Sequence, residues 1–283
     1  FRAFEDGMNE VFTLLPGITS EAMDQMSADI LTLSKEIGRL PEDVIPSLYN
    51  SLSAGVPPGN VFDFLETANK LAVGGATDLG TAVDGLTTVV NAFGSDIISV
   101  GEASDIIFTA VKGGKTTVEE LSNAMFNVAP IAASMGIAFG DVTAATATLT
   151  AAGTPTSVAM TQIRAALSEL AKPTSQISKL FKELTGQSFE EFIAGGGNMK
   201  EGFDIIKAGA EAQNKPLAQF VGSVEALGAI QTLTGKGSEK FAAELEAAGN
   251  AAGATEAAFT QGASGIGLVL DKIRAAINVF VIE

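Results

Sequence analysis

The stretch Thr116–Arg164 reads TTVEELSNAMFNVAPIAASMGIAFGDVTAATATLTAAGTPTSVAMTQIR, and it decides the fold class of this chain. Between Glu120 and Arg164 it carries one charged side chain, that of Asp141. A helix on the surface of a soluble protein normally presents a charged face to water. Most of this stretch must therefore be shielded from water by other parts of the protein or by a partner.

Three helices are predicted within this stretch. Thr117 and Glu120 stand three apart, as in a capping box, and the apolar residues that follow recur at helical spacing until Pro130. A second helix is predicted over 141–152 and a third from Ser157 onward. Because most side chains here are Ala, Thr, Ser or Gly, these helices can approach each other closely.

The whole chain of 283 residues is predicted to be all-α. No segment shows sustained strand-like alternation, whereas Ala, Leu, Glu and Met recur at helical spacing. The 31 glycines exceed the usual share of about 7%. With the prolines they interrupt every candidate helix, which predicts an array of short to medium helices and not one long rod.

Three segments are expected along the chain: a truncated N-terminal helix at 1–19, a helical core at 20–173, and a C-terminal helical segment at 174–283. Phe1 is not a natural start, and the last apolar run has no stop signal. We therefore expect an internal piece of a longer protein, whose final helix continues. Within the last segment, a looser and exposed helix is predicted over 235–253.

An internal repeat with an offset of 59 residues is visible in the helical core. Gly55 falls on Gly114 and Gly94 on Gly153, and several apolar positions also coincide. Each copy reads as turn, helix, glycine-rich break, helix, glycine, helix. This predicts two tandem three-helix units, each covering its neighbour's apolar face. Chance similarity among so many alanines and glycines is the alternative.

The composition excludes several kinds of chemistry, because the chain contains no Cys and no His. Thiol nucleophiles, disulfides, Ser-His-Asp chemistry and almost every zinc site are removed at once. We predict no catalytic residue, no cofactor and no metal site.

The charge balance disfavours a nucleic-acid surface. The net charge is −16, whereas duplex binding needs clustered Lys and Arg on phosphates. Such a surface would repel DNA that slides past it, although solubility alone is the simpler explanation of the charge. Phenylalanines on apolar stripes, without interleaved basic residues, are predicted to be core and not a stacking platform. They include Phe62, Phe108, Phe181 and Phe241.

Two kinds of local motif have structural explanations. GGKTT at Gly113–Thr117 lacks the glycine that a phosphate-binding loop needs five residues before Gly114, and it follows a predicted helix, so it is interpreted as a helix–helix turn. The acidic pairs Glu42-Asp43, Glu119-Glu120 and Glu190-Glu191 could do acid–base work. Each pair stands in the first turn of a predicted helix, where the helix dipole alone favours acidic residues.

Several ordered pieces of the chain resemble phage tail tape-measure proteins, and more narrowly their folded "minor tail" region. The resemblance runs from about Met26 to Glu283. Its pieces are NVAPIAASMGI (Asn127–Ile137), TQIRAALSELAKP (Thr161–Pro173), LAVGGATDLGTAVDGLTTVVNAFG (Leu71–Gly94), FKELTGQSFEEFIAGGGNM (Phe181–Met199) and AAGATEAAFTQ (Ala251–Gln261). None of them is a catalytic fingerprint.

The resemblance implies a structural virion protein without enzymatic activity. It would lie in the tail lumen or at the tail tip, after assembly in the host cytoplasm, and would support tail assembly, tail-length determination and genome ejection. The implied partners are other copies of itself about the tail axis, and the distal tail, hub and tail tube proteins. Specific nucleic-acid binding is not expected, although phage DNA passes nearby, and host membrane contact is expected only through regions outside this chain.

The low-charge stretch is also the candidate interface, because exposed apolar patches on soluble proteins usually mark contacts. We expect contact with another copy or with the hub through Met125, Val128, Ile131, Met135, Ala147 and Ala151. The alternative function is a generic α-helical interaction scaffold of a non-phage assembly, and an enzyme is the third reading. Long coiled-coil runs and apolar spans in the flanking sequence would favour the first function over the second.

Overall fold

Short helices joined by glycine and proline turns make up the chain in a computed structural model, which describes residues 2–264 and 266–282. Over these residues there are seventeen α-helices, one 3-10 turn at Leu217–Gln219 and no strand. The predicted all-α class is therefore confirmed.

The helices are α1 (Arg2–Phe12), α2 (Ser20–Ile37), α3 (Pro41–Ser53), α4 (Val61–Gly74), α5 (Leu79–Phe93), α6 (Val100–Gly113), α7 (Val118–Met125), α8 (Ala129–Ser134), α9 (Phe139–Ala151), α10 (Thr156–Ala171), α11 (Gln176–Thr185), α12 (Phe189–Ala194), α13 (Met199–Ala212), α14 (Val224–Thr234), α15 (Ser238–Gly249), α16 (Ala254–Gly262) and α17 (Ile266–Ile282).

Local signals explain where many of these helices begin and end. The Thr117 side chain accepts a hydrogen bond from the Glu120 backbone N–H at the start of α7, as the capping pattern predicts. Ser188 and Asn198 form complete capping boxes at the starts of α12 and α13. Gly38 ends α2 in the left-handed region, with φ of 73°, which glycine adopts without steric cost.

The helices group into two compact units. Unit 1 comprises the residues up to Thr87 and those from Thr255 onward, and unit 2 comprises Thr88–Ala254. The boundary thus falls inside α5. The expected segments at 1–19, 20–173 and 174–283 divide the sequence and not the three-dimensional structure. This division stays a prediction.

Unit 1 is built around α2, which contacts α3, α4 and α17, while α1 packs on α3. Its core includes Val11, Ile30, Leu48 and Leu65, which have no exposed surface. Helix α16 lies close to α4, because a Cβ added at Gly74 would stand 2.9 Å from the Ala258 Cβ.

Unit 2 is built around α9, which contacts α6, α8, α10, α14 and α15. All ten residues from 141 to 150 are buried. The hydroxyls of Thr146, Thr148 and Thr150 are satisfied within the helix, since they donate to backbone carbonyls one turn earlier. A helix apolar on all sides is expected in a protein interior. Here small side chains let five neighbouring helices surround it.

The helix predicted over 235–253 forms as α15 but is not loose and exposed as predicted. Phe241 has no exposed surface and Glu244 is only 9% exposed, because α15 packs along α9. The sequence prediction failed because one large buried residue, Phe241, is enough for α15 to pack on α9, where the side chains are small. The same Phe241 was correctly predicted to be core.

The helix bounds can be compared with the predicted 59-residue offset. Adding 59 to the residue numbers of α5 and α6 gives 138–152 and 159–172. Each of these boundaries lies within three residues of the corresponding boundary of α9 or α10. Moving α4 gives 120–133, where the chain forms two helices, α7 and α8. Superposition of the two three-helix sets stays a prediction.

Candidate functional site

The six residues predicted to form an interface lie on α7, α8 and α9 and in the turns between them. Four are buried in the chain: Met125, Val128, Met135 and Ala147. Ile131 is partly buried and Ala151 is exposed. On the folded chain, only Ile131 and Ala151 among them present appreciable surface to a second molecule. The interface itself stays a prediction.

The GGKTT motif forms the turn between α6 and α7, as predicted. The Lys115 backbone N–H donates to Thr150 Oγ1 at 3.2 Å, and Thr116 Oγ1 lies 2.7 Å from Thr156 Oγ1. Thr156 Oγ1 also donates to Glu120 Oε2 at 2.9 Å. These contacts tie the turn to the end of α9 and the start of α10, so the polar groups of the motif are used within the fold.

The acidic pairs occupy the first turns of α3, α7 and α12, where the sequence places them. In the third pair, Glu191 accepts a hydrogen bond from the Ser188 backbone N–H at 2.7 Å. Hydrogen bonds from the backbone and side chain of Ser188 lower the pKa of Glu191. Glu191 therefore completes a helix cap, and the pairs in α3 and α7 stand where the helix dipole favours acidic side chains.

Sequence reasoning missed a second use of carboxylates, in which one helix caps the start of a distant one. Asp141 on α9 accepts from the Met199 backbone N–H at 2.7 Å, at the start of α13. Burial raises the pKa of Asp141, against the opposing effect of that hydrogen bond, and the negative charge of Glu201 raises it further. The one charged residue of the low-charge stretch is thus a tertiary cap.

Glu169 and Asp105 act in the same way. Glu169 on α10 accepts hydrogen bonds from the backbone N–H groups of Gly222 and Ser223 and from Ser223 Oγ, each at 2.8 Å. Asp105 on α6 accepts from the Gly253 backbone N–H at 2.8 Å, just before α16. No local spacing links these partners, so only the tertiary structure reveals them.

A largely apolar cavity of about 480 Å³ opens in unit 2 beside the predicted interface stretch. Its lining includes Phe93, Ile97, Ile106, Ile137, Phe139 and Leu245, together with the carboxylates Glu102 and Asp141. Ile97 is 74% exposed, so the cavity has an apolar edge that water reaches. A second cavity shares Phe93 and Ala133 with the first and is also lined by Pro130 and Ser134 of α8.

Within residues 2–264 and 266–282, no three acidic side chains come together in a way that could hold a metal ion. Over the same residues, none of the helices has the length and apolar character needed to cross a membrane. An apolar cavity with two carboxylates suits an apolar side chain of a partner.

Comparison with known proteins identifies the family. Residues 27–239 match the family model described as phage-related minor tail protein. The chain is 31% identical over 268 residues to a probable tape measure protein of Clostridium phage phiCD119, covering 91% of this chain and 28% of that protein. It is 26% identical over 250 residues to the tape measure protein of Pneumococcus phage Dp-1, covering 86% of this chain and 21% of that protein.

The chain therefore spans about a quarter of the length of these two curated relatives. No solved structure matches it. The family model covers well over half of the residues, and the resemblance found in the sequence extends across the same region. The chain belongs to the phage tape-measure family, in the group described as phage-related minor tail proteins.

Proposed function

We propose that this chain is a folded docking region of a tape-measure protein, and not the part that measures tail length. The observation that carries the proposal is helix length. The longest helix in the described residues is α2, with 18 residues, which spans about 27 Å at the usual rise. Helices of this size, packed into two units, cannot act as one extended ruler.

The proposed place of docking is the tail lumen or the tail tip, where the parent protein would support tail assembly, tail-length determination and genome ejection. Distal tail, hub and tail tube proteins are the proposed partners, together with other copies of the chain about the tail axis. The net charge of −16 supports a place beside DNA without binding it, because phosphates would be repelled. We propose no enzymatic role.

The proposed docking surface is centred on α8. Two cavities border this helix, and the exposed Ile97 lines one of them. Interfaces are built around apolar pockets that receive one large side chain. Of the six residues predicted to form the interface, only Ile131 and Ala151 are accessible to a partner on the folded chain.

The experiment is made in the full-length protein, in the phage. Ile97→Glu places a charge at the edge of the cavity of about 480 Å³, and we expect few or no tails by electron microscopy while the protein accumulates normally. Val224→Glu is the matched control, because Val224 is 82% exposed on α14 and lies outside both cavities. It should leave tails unchanged.

Normal tails with Ile97→Glu would contradict docking through this cavity. Absence of the protein from purified virions by mass spectrometry would contradict the tail location itself. The alternative function, a generic scaffold of a non-phage assembly, is not supported, because the chain belongs to the phage tape-measure family.

A further inference from the structure

Helix α17 has two apolar faces. The inner one carries Ala275, Val279 and Ile282, which are buried, and α17 packs on α2. The opposite face carries six large apolar side chains that are between 51% and 79% exposed. They are Val269, Leu270, Ile273, Ile277, Phe280 and Val281. We call this set the α17 seam.

The spacing within the α17 seam is that of a helix-pairing surface. Leu270, Ile273, Ile277 and Phe280 are separated by three, four and three residues, which is the alternation of the a and d positions in a coiled coil. Val269 and Val281 flank this row and widen it. Side chains at such positions insert between those of a facing helix, so the partner predicted by the pattern is another α-helix.

The exposed area is large enough for a specific contact. Six side chains of this size and exposure present about 600 Å², the upper end of what the largest apolar patch on a monomer reaches. Two such faces together would bury about 1,200 Å², where the range of specific interfaces begins. A second copy supplies that area with the same row of residues.

The flanking charges permit such self-pairing. No charged residue lies within the row, and the charges of α17 are Asp271, Lys272 and Arg274. In a parallel pair, the positions beside the row would bring Val269 near Arg274 of the other copy, and Ala276 near Val281. No like charges then face each other across the contact.

A lipid surface fits these observations less well. Helices that lie in a membrane interface carry Lys and Arg on the face opposite the apolar one. In α17 that opposite face is packed on α2, and the chain as a whole carries a charge of −16.

We propose that the α17 seam is a self-association surface, which pairs with the same seam of a second copy of this chain. The inference deepens the proposed function, since it rests on the expectation that copies associate, and it names where they do so. The surface lies in unit 1, whereas the docking surface around α8 lies in unit 2.

The first test is the mass of the 283-residue chain by light scattering at tens of micromolar. We expect twice the monomer mass of 28.9 kDa. Ile277→Glu should return the mass to that of a monomer with an unchanged helical circular dichroism spectrum, because Ile277 is exposed in the single chain. Val224→Glu, on an exposed site of α14, should leave the dimer intact.

The second test uses the absence of cysteine from the chain. Ile277→Cys can form a disulfide only between copies, and only where their Cα atoms come within about 7 Å. Cross-linking of this variant with itself supports a parallel pair, and cross-linking only after mixing with Ile273→Cys supports an antiparallel one. Asp24→Cys, at an exposed site on α2, is the control.

A monomeric wild-type chain without cross-linking would overturn the proposal. So would binding of a monomeric chain to phosphatidylcholine vesicles that Ile277→Glu abolishes, which would assign the seam to a membrane. The two proposals can be contradicted separately. If the chain is monomeric but is still found in tails, only the proposal for the α17 seam is wrong. If the chain dimerises but is absent from virions, only the proposed tail function is wrong.

Discussion

The Oδ2 atom of Asp141 accepts a hydrogen bond of 2.7 Å from the backbone N–H of Met199, 58 residues further along the chain. This bond joins the central helix α9 to the start of α13. Met199 has no exposed surface and Asp141 is 8% exposed, so water has little access to either group. A buried backbone N–H that loses its acceptor is costly.

Replacing Asp141 tests this relationship. Asp141→Ala removes the acceptor and should lower the free energy of unfolding by about 1–3 kcal/mol. Asp141→Asn keeps an oxygen in place and should be close to neutral. Denaturant unfolding of both variants at pH 7 gives the comparison. Equal losses for the two variants would mean that the acceptor oxygen does not matter.

The pH dependence of the same site has a definite sign. Burial raises the pKa of Asp141 above its ordinary 3.8, so the folded protein holds this proton more tightly than the unfolded one. The contribution to stability is therefore present at low pH and is lost as the pH rises from 3.8 through the raised pKa. Relative to Asp141→Asn, the wild type should lose stability over that window. Asp24→Asn, which makes the same substitution at an exposed site, is the control.

Glu169 should hold the start of α14 in place. Glu169→Ala removes the acceptor of three hydrogen bonds at a partly exposed site, and we expect a loss of about 1–3 kcal/mol in unfolding free energy. Hydrogen exchange at the amides of Gly222 and Ser223 should accelerate before the rest of α14. Glu225→Ala, exposed in the first turn of α14, is the control. Unchanged exchange at these two amides would contradict the role.

Adjacent glycines at the end of α6 should differ in their tolerance of a methyl group. A Cβ at Gly114 would stand 2.6 Å from Thr150 Oγ1 and 2.8 Å from the Ala147 Cα, which cannot move without shifting α9. Gly114→Ala should therefore cost about 1–3 kcal/mol. At Gly113 the obstacle is the carboxylate of Glu244, the flexible end of a side chain. Gly113→Ala should cost less, and thermal unfolding of both variants decides.

Two alanines of the predicted interface should respond differently to a charge. Ala147 has no exposed surface, and Ala147→Glu should unfold the chain, because an unpaired buried charge costs several kcal/mol (roughly 2–7 even for a neutral polar group). Ala151 is exposed, and Ala151→Glu should leave the circular dichroism and melting temperature nearly unchanged. Only the second variant can therefore test the interface, by its effect on tail formation. A well-folded Ala147→Glu would contradict the central position of α9.

The sequence by itself determined the local features. Glycines in left-handed turns, hydroxyl caps and the period of apolar residues act within a few positions, so the all-α class and helix starts such as those at Thr117 and Ser188 follow from neighbouring residues. The low charge of the stretch around Asp141 also showed that it must be covered. The ordered motifs along the chain were sufficient to indicate the tape-measure family.

Only the tertiary structure decided what covers that stretch. The interface prediction looked for a second molecule, whereas most of the cover comes from α6, α10, α14 and α15 of the same chain. Small apolar residues can be buried equally well against the same chain or against a second molecule. The hydrophobic effect has no direction, because it depends on the apolar area removed from water and not on which surface covers it. The tertiary caps of Asp141 and Glu169, the buried side of α15 and the uncovered face of α17 likewise depend on contacts between distant residues. No local periodicity encodes which helices become neighbours.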